Sequence, residues 1–201
     1  AGYYIWRHAV ISDAKRQEIA RLGCIAWLLQ LIQNGDTYAK HVSVGCLQYL
    51  AITEELRELI VGKGTGDKSL QNVIRLLEGD HDRTKARAAA LLYQVVQLPE
   101  IAYKLKDHIA PMLEVLDATE HTWASVDQAR ACIAGCLRAL AACDYTPELM
   151  SYRAESINLK AVLVAEGALA PLVRVMKDGI PQAQTEAVGT VALLAEEDQV
   201  P

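Results

Sequence analysis

Apolar residues recur at helical rather than strand spacing in two stretches of the chain, residues 23–51 and 167–195. In the later stretch, Asp178-Gly179 separates two apolar runs, and Pro181 stands where the first turn of a helix tolerates proline. The earlier stretch aligns with the later one without a gap after a shift of 144 residues. Matched positions are Gly23 with Gly167, Leu28 with Leu172, Gly35 with Gly179, and Leu50-Ala51 with Leu194-Ala195. The pattern predicts a repeated helical unit.

The unit recurs along the whole chain, with one short helix and two longer helices in each copy. Equivalent apolar positions at Leu50, Val95, Leu140 and Leu194 lie 45, 45 and 54 residues apart, a period typical of two- and three-helix solenoids. Such units bury their apolar faces only by stacking on their neighbours. We predict one array with complete repeats at 23–66, 67–107 and 108–166, partial repeats at 1–22 and 167–201, and insertions at 117–128 and 144–156.

Local signals place several helix ends. Ser12-Asp13 is predicted to cap a short helix that carries Ile19, and Thr53 to cap the next short helix. Leu56, Leu59 and Ile60 are predicted to form the buried face of that second helix, and the last helix of the third repeat is predicted at 129–143.

The last helices of three units read VGCLQYLA (44–51), AGCLRALA (134–141) and VGTVALLA (188–195). These segments resemble the third helix of armadillo repeats, which often reads Ala-Ala-Gly-Ala-Leu-x-Asn-Leu-Ala. Residues 167–176 (GALAPLVRVM) are similar to the family's second helix. The resemblance implies an all-α fold, a right-handed superhelix of about four to five armadillo repeats. HEAT repeats are the nearest alternative because they stack similarly.

The resemblance also implies a function, since armadillo proteins bind extended protein segments along a groove lined by their third helices. Importin-like members line this groove with a Trp and an Asn four residues apart. The Trp position here holds Gly45, Ala90, Gly135 and Gly189, and the Asn position holds Tyr49, Gln94, Ala139 and Leu193. The sequence is therefore nearer to scaffold members, which are catenin-like or vacuolar armadillo proteins.

Each small residue on these helices shares a helix face with the residue four positions later. Together these positions predict a shallow strip that the backbone of a partner protein can approach. The candidate binding residues on and beside this strip are His41, Gln48, Tyr49, Arg87, Tyr93, Gln94 and Arg138. Tyrosine and arginine are common in binding hot spots; the alternative is that Tyr49 and Tyr93 only cover neighbouring helices. Arg83, Lys85 and Arg87 form a basic cluster that either attracts an acidic partner or is a solvated face.

Residues 62–69 (GKGTGDKS) resemble a phosphate-binding P-loop, with Asp67 in place of the second glycine. A P-loop follows a buried strand, whereas the preceding segment here has the pattern of an amphipathic helix. An aspartate would also repel phosphate. We interpret the segment as a glycine-rich joint between repeats and expect no nucleotide cofactor. A nucleotide-binding protein that uses residues 62–69 is the least favoured of three functional hypotheses.

Cys132, Cys136 and Cys143 share one predicted helix, and His121 lies near them in sequence. Two of these cysteines have a spacing that zinc accepts, but small cysteines are also common in tightly packed helical cores. No spacing indicates catalytic residues, so we expect no enzyme activity, no metal and no cofactor.

Composition narrows the function further. The net charge of −5 argues against nucleic acid as the main partner, and no apolar run approaches the ~20 residues that span a bilayer. Five cysteines without a disulfide-type spacing indicate an intracellular, cytoplasmic protein. The chain is expected to be part of a longer one.

The sequence favours a non-catalytic scaffold for protein partners. The alternative is a structural subunit of a cytoskeletal, ciliary or organellar assembly that docks through the two insertions.

Overall fold

The computed structural model describes residues 2–61, 66–118, 124–143 and 158–196. Within these residues the chain forms thirteen α-helices and one 3₁₀ helix, with no strand. The all-α prediction is therefore confirmed. The internal contacts divide the chain into two compact units, residues 1–98 and 99–201. Across the described residues, no helix combines the length and apolar character needed to cross a membrane.

The first unit repeats a pattern of one short helix followed by two longer ones. Its helices are α1 (Gly2–Ile11), α2 (Asp13–Arg21), α3 (Cys24–Asn34), α4 (Thr37–Leu50), α5 (Glu54–Val61), α6 (Gly66–Arg75) and α7 (Asp82–Val95). The third helices pack side by side, because α4 contacts α1 on one side and α7 on the other. Helix α3, a second helix, also packs against α4, so α4 contacts both its own repeat and the neighbouring third helices. We call α1, α4 and α7 the third-helix layer of this unit.

The second unit follows the same order. Its helices are α8 (Pro99–Leu105), the 3₁₀ helix Lys106–His108, α9 (Ile109–Asp117), α10 (Ala124–Ala142), α11 (Leu159–Ala165), α12 (Leu169–Asp178) and α13 (Pro181–Ala195). Helix α10 packs against α13, and α12 packs against both α9 and α13. The matched positions Leu50, Val95, Leu140 and Leu194 are all buried, as the repeat pattern predicts.

Helix ends follow local chemistry where a capping side chain is present. Ser12 precedes α2 and accepts a hydrogen bond from the Lys15 backbone N–H at 3.4 Å, as predicted. Thr53 directly precedes α5, but its hydroxyl is buried and makes no hydrogen bond, so the predicted side-chain cap is wrong.

Two other boundary predictions differ from the structure. Helix α10 begins at Ala124, so residues 124–128 of the predicted insertion 117–128 are helical. No glycine or proline interrupts this stretch, and Asp127 in the first turn favours a helix start. Residues 119–123 and the predicted insertion 144–156 lie outside the described residues.

The predicted buried face of α5 is also only partly correct. Leu56 and Ile60 are fully buried, whereas Leu59 is 54% exposed. Leu56 and Ile60 are four residues apart and share one face, Val61 extends that face on one side, and Leu59 lies on the other side towards solvent.

The repeated glycines Gly35 and Gly179 are expected to tolerate no side chain. A Cβ at Gly35 would lie 2.5 Å from the Leu31 carbonyl oxygen, and one at Gly179 would lie 2.5 Å from the Val175 carbonyl oxygen. Replacing either by alanine is expected to lower the free energy of unfolding by about 1–3 kcal/mol. The measurement is urea unfolding of the full chain, followed by far-UV circular dichroism.

Gly45→Ala is the matched control, because a Cβ there meets nothing closer than 3.5 Å. Inside helix α4 this change is expected to be neutral or to stabilise by up to about 1 kcal/mol. Equal stability of Gly35→Ala and Gly45→Ala would show that the close contacts at Gly35 relax without cost.

Candidate functional site

A guanidinium group held by two aromatic rings forms the centre of the candidate site in the first unit. The Arg87 Cζ atom lies 5.2 Å from the ring centroid of Trp6 and 5.9 Å from that of Tyr49. Arg87 Nη1 also donates a hydrogen bond to Gln48 Oε1 at 2.9 Å. We call these four residues the Arg87 cluster. Helices α1, α4 and α7 each contribute to it, so it depends on the packing of three successive third helices.

His41 extends the Arg87 cluster towards the start of α7. Its ring packs edge-on against Trp6 with 6.0 Å between centroids, and lies 5.5 Å from the ring of His81. The Thr84 hydroxyl lies 3.4 Å from His41 Nδ1 and 2.7 Å from His81 Nδ1. His81 Nδ1 also accepts a hydrogen bond from the Thr84 backbone N–H at 3.2 Å, so this side chain caps α7.

The surroundings of His41 favour its neutral form. Burial is the largest cause that lowers the pKa of His41, followed by the charges of His81, Arg87 and Arg83. The ring therefore packs against Trp6 as an uncharged group at neutral pH.

A cavity of about 410 Å³ opens beside these histidines. Its lining includes Thr37 and Lys40 from α4, Arg75 from α6, and Asp80, His81 and Thr84 around the start of α7. His81 and Thr84 belong both to the cavity and to the contacts that reach Trp6 through His41. The Arg87 cluster and the cavity are thus joined by a continuous series of side-chain contacts.

Of the seven candidate residues from the sequence, the structure brings together four: His41, Gln48, Tyr49 and Arg87. The other three are placed elsewhere: Tyr93 and Gln94 are half-buried towards the end of α7, and Arg138 is exposed on α10 of the second unit. Sequence reasoning missed Trp6, because it lies in the partial repeat 1–22, before the first complete repeat.

The predicted open strip of small residues is wrong where it can be checked. Gly45 is buried, and a Cβ there would lie 3.5 Å from the Trp6 indole. A Cβ at Gly189 would lie 2.8 Å from Arg138 Nε. Side chains of the preceding third helix therefore lie against both glycines, at the place where a partner's backbone was expected. Ala90 and Gly135 are buried as well.

Cys132 and Cys136 are buried in α10, and burial raises the pKa of both thiols. Burial also raises the pKa of Cys46 to about 12. None of the five cysteines forms a disulfide bond. Within the described part of the chain, no three His, Cys, Asp or Glu side chains are grouped to hold a metal ion, and His121 lies outside that part.

The P-loop-like segment 62–69 is described only from residue 66, where α6 begins. The element before it is helix α5 and not a strand. A P-loop needs a strand at this place, so the helical context predicted from the sequence is confirmed.

Comparison with known proteins gives matches in structure only. No protein-family model matches the chain, and no curated protein matches its sequence. The designed armadillo repeat protein YIII(Dq)4CqI is 18% identical with a TM-score of 0.77, covering 97% of this chain and 74% of that one. Computationally designed armadillo repeat proteins for modular peptide recognition are 18% identical with a TM-score of 0.75, covering 96% and 73%.

A third match, the designed armadillo repeat protein YIII(Dq.V1)4CPAF in complex with peptide (KR)4, is 18% identical with a TM-score of 0.73. The match covers 94% of this chain and 72% of that one. The chain therefore has the fold of an armadillo-repeat solenoid, and the fold class predicted from the sequence is confirmed.

Proposed function

We propose that the chain is a non-catalytic scaffold that binds an extended segment of a partner protein against its third helices. In the first unit, the binding surface consists of the Arg87 cluster and His41. The single observation that carries this proposal is the Arg87 guanidinium between the rings of Trp6 and Tyr49.

The residue types in the Arg87 cluster, and the contacts that hold its guanidinium in place, are suited to binding a partner. Tryptophan, tyrosine and arginine are the residues most enriched in binding hot spots. Arginine has five N–H donors, and the hydrogen bond from Arg87 to Gln48 uses one donor on Nη1. The rings and the amide hold the guanidinium in place before a partner arrives, which lowers the entropy cost of binding.

Two structural relatives support the same class of function by analogy. One was solved in complex with peptide (KR)4, and another was designed for modular peptide recognition. At 18% identity this analogy concerns the fold, and function depends on the particular site. The small residues at the importin Trp positions support a scaffold-type member, and five cysteines without a disulfide bond support a cytoplasmic location.

The proposal is tested with a displayed library of random twelve-residue peptides, selected on the full chain. Peptides enriched on the wild-type chain are expected to bind Tyr49→Ala and Arg87→Ala about tenfold or more weakly, as hot-spot truncations do. Leu59→Ala is the control, because Leu59 is exposed on α5, outside the third-helix layer. Circular dichroism checks that each variant is folded.

If the library yields no binder, or if the binders do not distinguish the two variants from Leu59→Ala, the proposed surface is wrong.

The second candidate, a structural subunit of a large assembly, rests on the exposed apolar side chains of the last repeat. These are Val164, Leu169, Val173 and Val188 on α11, α12 and α13. Cross-linking of the native protein separates the two functions. Links from Lys40 and Lys85 to one flexible segment favour the scaffold, whereas links from many faces to several large proteins favour the subunit.

A further inference from the structure

The third helices of the first unit carry a positive charge although the chain as a whole is negative. Together α1, α4 and α7 contain five lysine or arginine residues and a single acidic residue, Asp82. The five are Arg7, Lys40, Arg83, Lys85 and Arg87. The whole chain has a net charge of −5. At physiological salt, charges beyond about 8 Å are largely screened, so a bound segment would respond to this local charge.

Among the described residues, no carboxylate forms an ion pair with these five cations. In the second unit, each arginine among the described residues has a carboxylate partner: Arg130 with Asp178, Arg138 with Glu186, and Arg174 with Asp117. In the described part of the first unit, no ion pair involves Lys40, Arg75, Arg83 or Arg87. Arginine is thus paired at every described position of the second unit, whereas in the first unit Arg16 is paired with Asp13 and Arg75, Arg83 and Arg87 have no carboxylate partner among the described residues.

Lys40 and a further cation, Arg75 on α6, line the cavity of about 410 Å³, together with one acid, Asp80. Two backbone N–H groups at the helix starts beside the cavity have side-chain acceptors. Asp36 Oδ1 accepts from the Ala39 N–H at 2.7 Å, and His81 Nδ1 accepts from the Thr84 N–H at 3.2 Å. Phosphate sites usually combine such N–H groups with cations. A carboxylate needs only the lysine and the arginine.

We propose that the segment bound by the first unit is acidic, and that one of its aspartate or glutamate side chains occupies the cavity beside Lys40 and Arg75. This inference rests on the proposed function and specifies its partner. The carboxylate in the cavity pairs with Lys40 and Arg75. The contacts through Thr84, His41 and Trp6 connect this position to Arg87, which receives the next acidic or amide group of the segment.

The test uses fluorescein-labelled peptides and the full chain in fluorescence anisotropy titrations. The peptides are (Glu-Ala)6, the neutral (Gln-Ala)6, the basic (Lys-Arg)4, and a phosphoserine version of (Glu-Ala)6 in which one glutamate is replaced. (Glu-Ala)6 is expected to bind at least about tenfold more tightly than (Gln-Ala)6 and (Lys-Arg)4. The double variant Lys40→Gln/Arg75→Gln is expected to weaken the binding of (Glu-Ala)6 about tenfold.

The matched control, Lys15→Gln/Arg21→Gln, removes the same charge from α2 and is expected to leave the affinity unchanged. Equal weakening by both double variants would mean general charge attraction and would overturn the cavity assignment. Binding of the phosphoserine peptide alone would replace the carboxylate by a phosphate. If the random library yields binders that are neutral or basic, the acidic partner is wrong but the scaffold stands. If no peptide of any kind binds, the scaffold itself is wrong.

Discussion

Replacing Asp178 by alanine is expected to lower the free energy of unfolding of the second unit by about 2–4 kcal/mol, because it isolates a buried charge. The Arg130 side chain is only 2% exposed, and its Nη2 lies 2.7 Å from Asp178 Oδ1. Asp178 is half-exposed, so water replaces part of the lost interaction. Asp178 also ends α12, where removing a negative charge is favourable by about 0.3–1 kcal/mol. For these two reasons, the expected loss of stability is smaller than that for breaking a fully buried ion pair.

Arg130→Met is the informative comparison, because it removes the buried charge and keeps much of the apolar stem. Apolar replacement of a buried ion pair is often neutral or stabilising, and the Arg130 Nε already lacks a hydrogen-bond partner. Arg130→Met is therefore expected to cost less than Asp178→Ala. Urea unfolding, combined with hydrogen exchange of α10 and α12 peptides, which carry the two residues, measures both effects. A larger loss in Arg130→Met, or no loss in Asp178→Ala, would show that the pair is not what holds these helices together.

Leu56→Ala is expected to lower the free energy of unfolding of the first unit by about 2–5 kcal/mol, because the side chain is fully buried. The loss combines the transfer of the leucine side chain to water with the cavity that it leaves. Leu59→Ala on the same helix is the matched control, since Leu59 is 54% exposed and its truncation is expected to change stability by less than about 0.5 kcal/mol.

Hydrogen exchange of α3, α5 and α7 peptides is the measurement, because α5 packs against α3 and α7. Faster exchange in all three helices is expected for Leu56→Ala, and wild-type exchange for Leu59→Ala. Similar effects of the two substitutions would mean that α5 contributes little to the stability of the unit.

The binding surface was only partly predictable, for a reason that Arg87 illustrates. The sequence placed Arg87 and Gln48 near the same strip, and the two do form a hydrogen bond although they are 39 residues apart. Trp6 was not predicted as a site residue, because nothing in its local sequence shows that its ring covers Gly45 on the neighbouring helix. A small residue in a helix indicates that something approaches closely; it does not indicate whether that is a partner or the protein itself.

The sequence by itself determined the helices, their order in each repeat and the buried positions such as Leu50 and Leu140. These features depend on apolar spacing within one helix and on local caps such as Ser12, whose interactions span only a few residues. Only the tertiary structure decided which side chains meet across helices: Trp6 with Arg87, and Arg130 with Asp178. Such contacts join residues tens of positions apart, and repeat periodicity does not specify them, because it fixes which face of a helix is buried and not which side chain fills the space beside it.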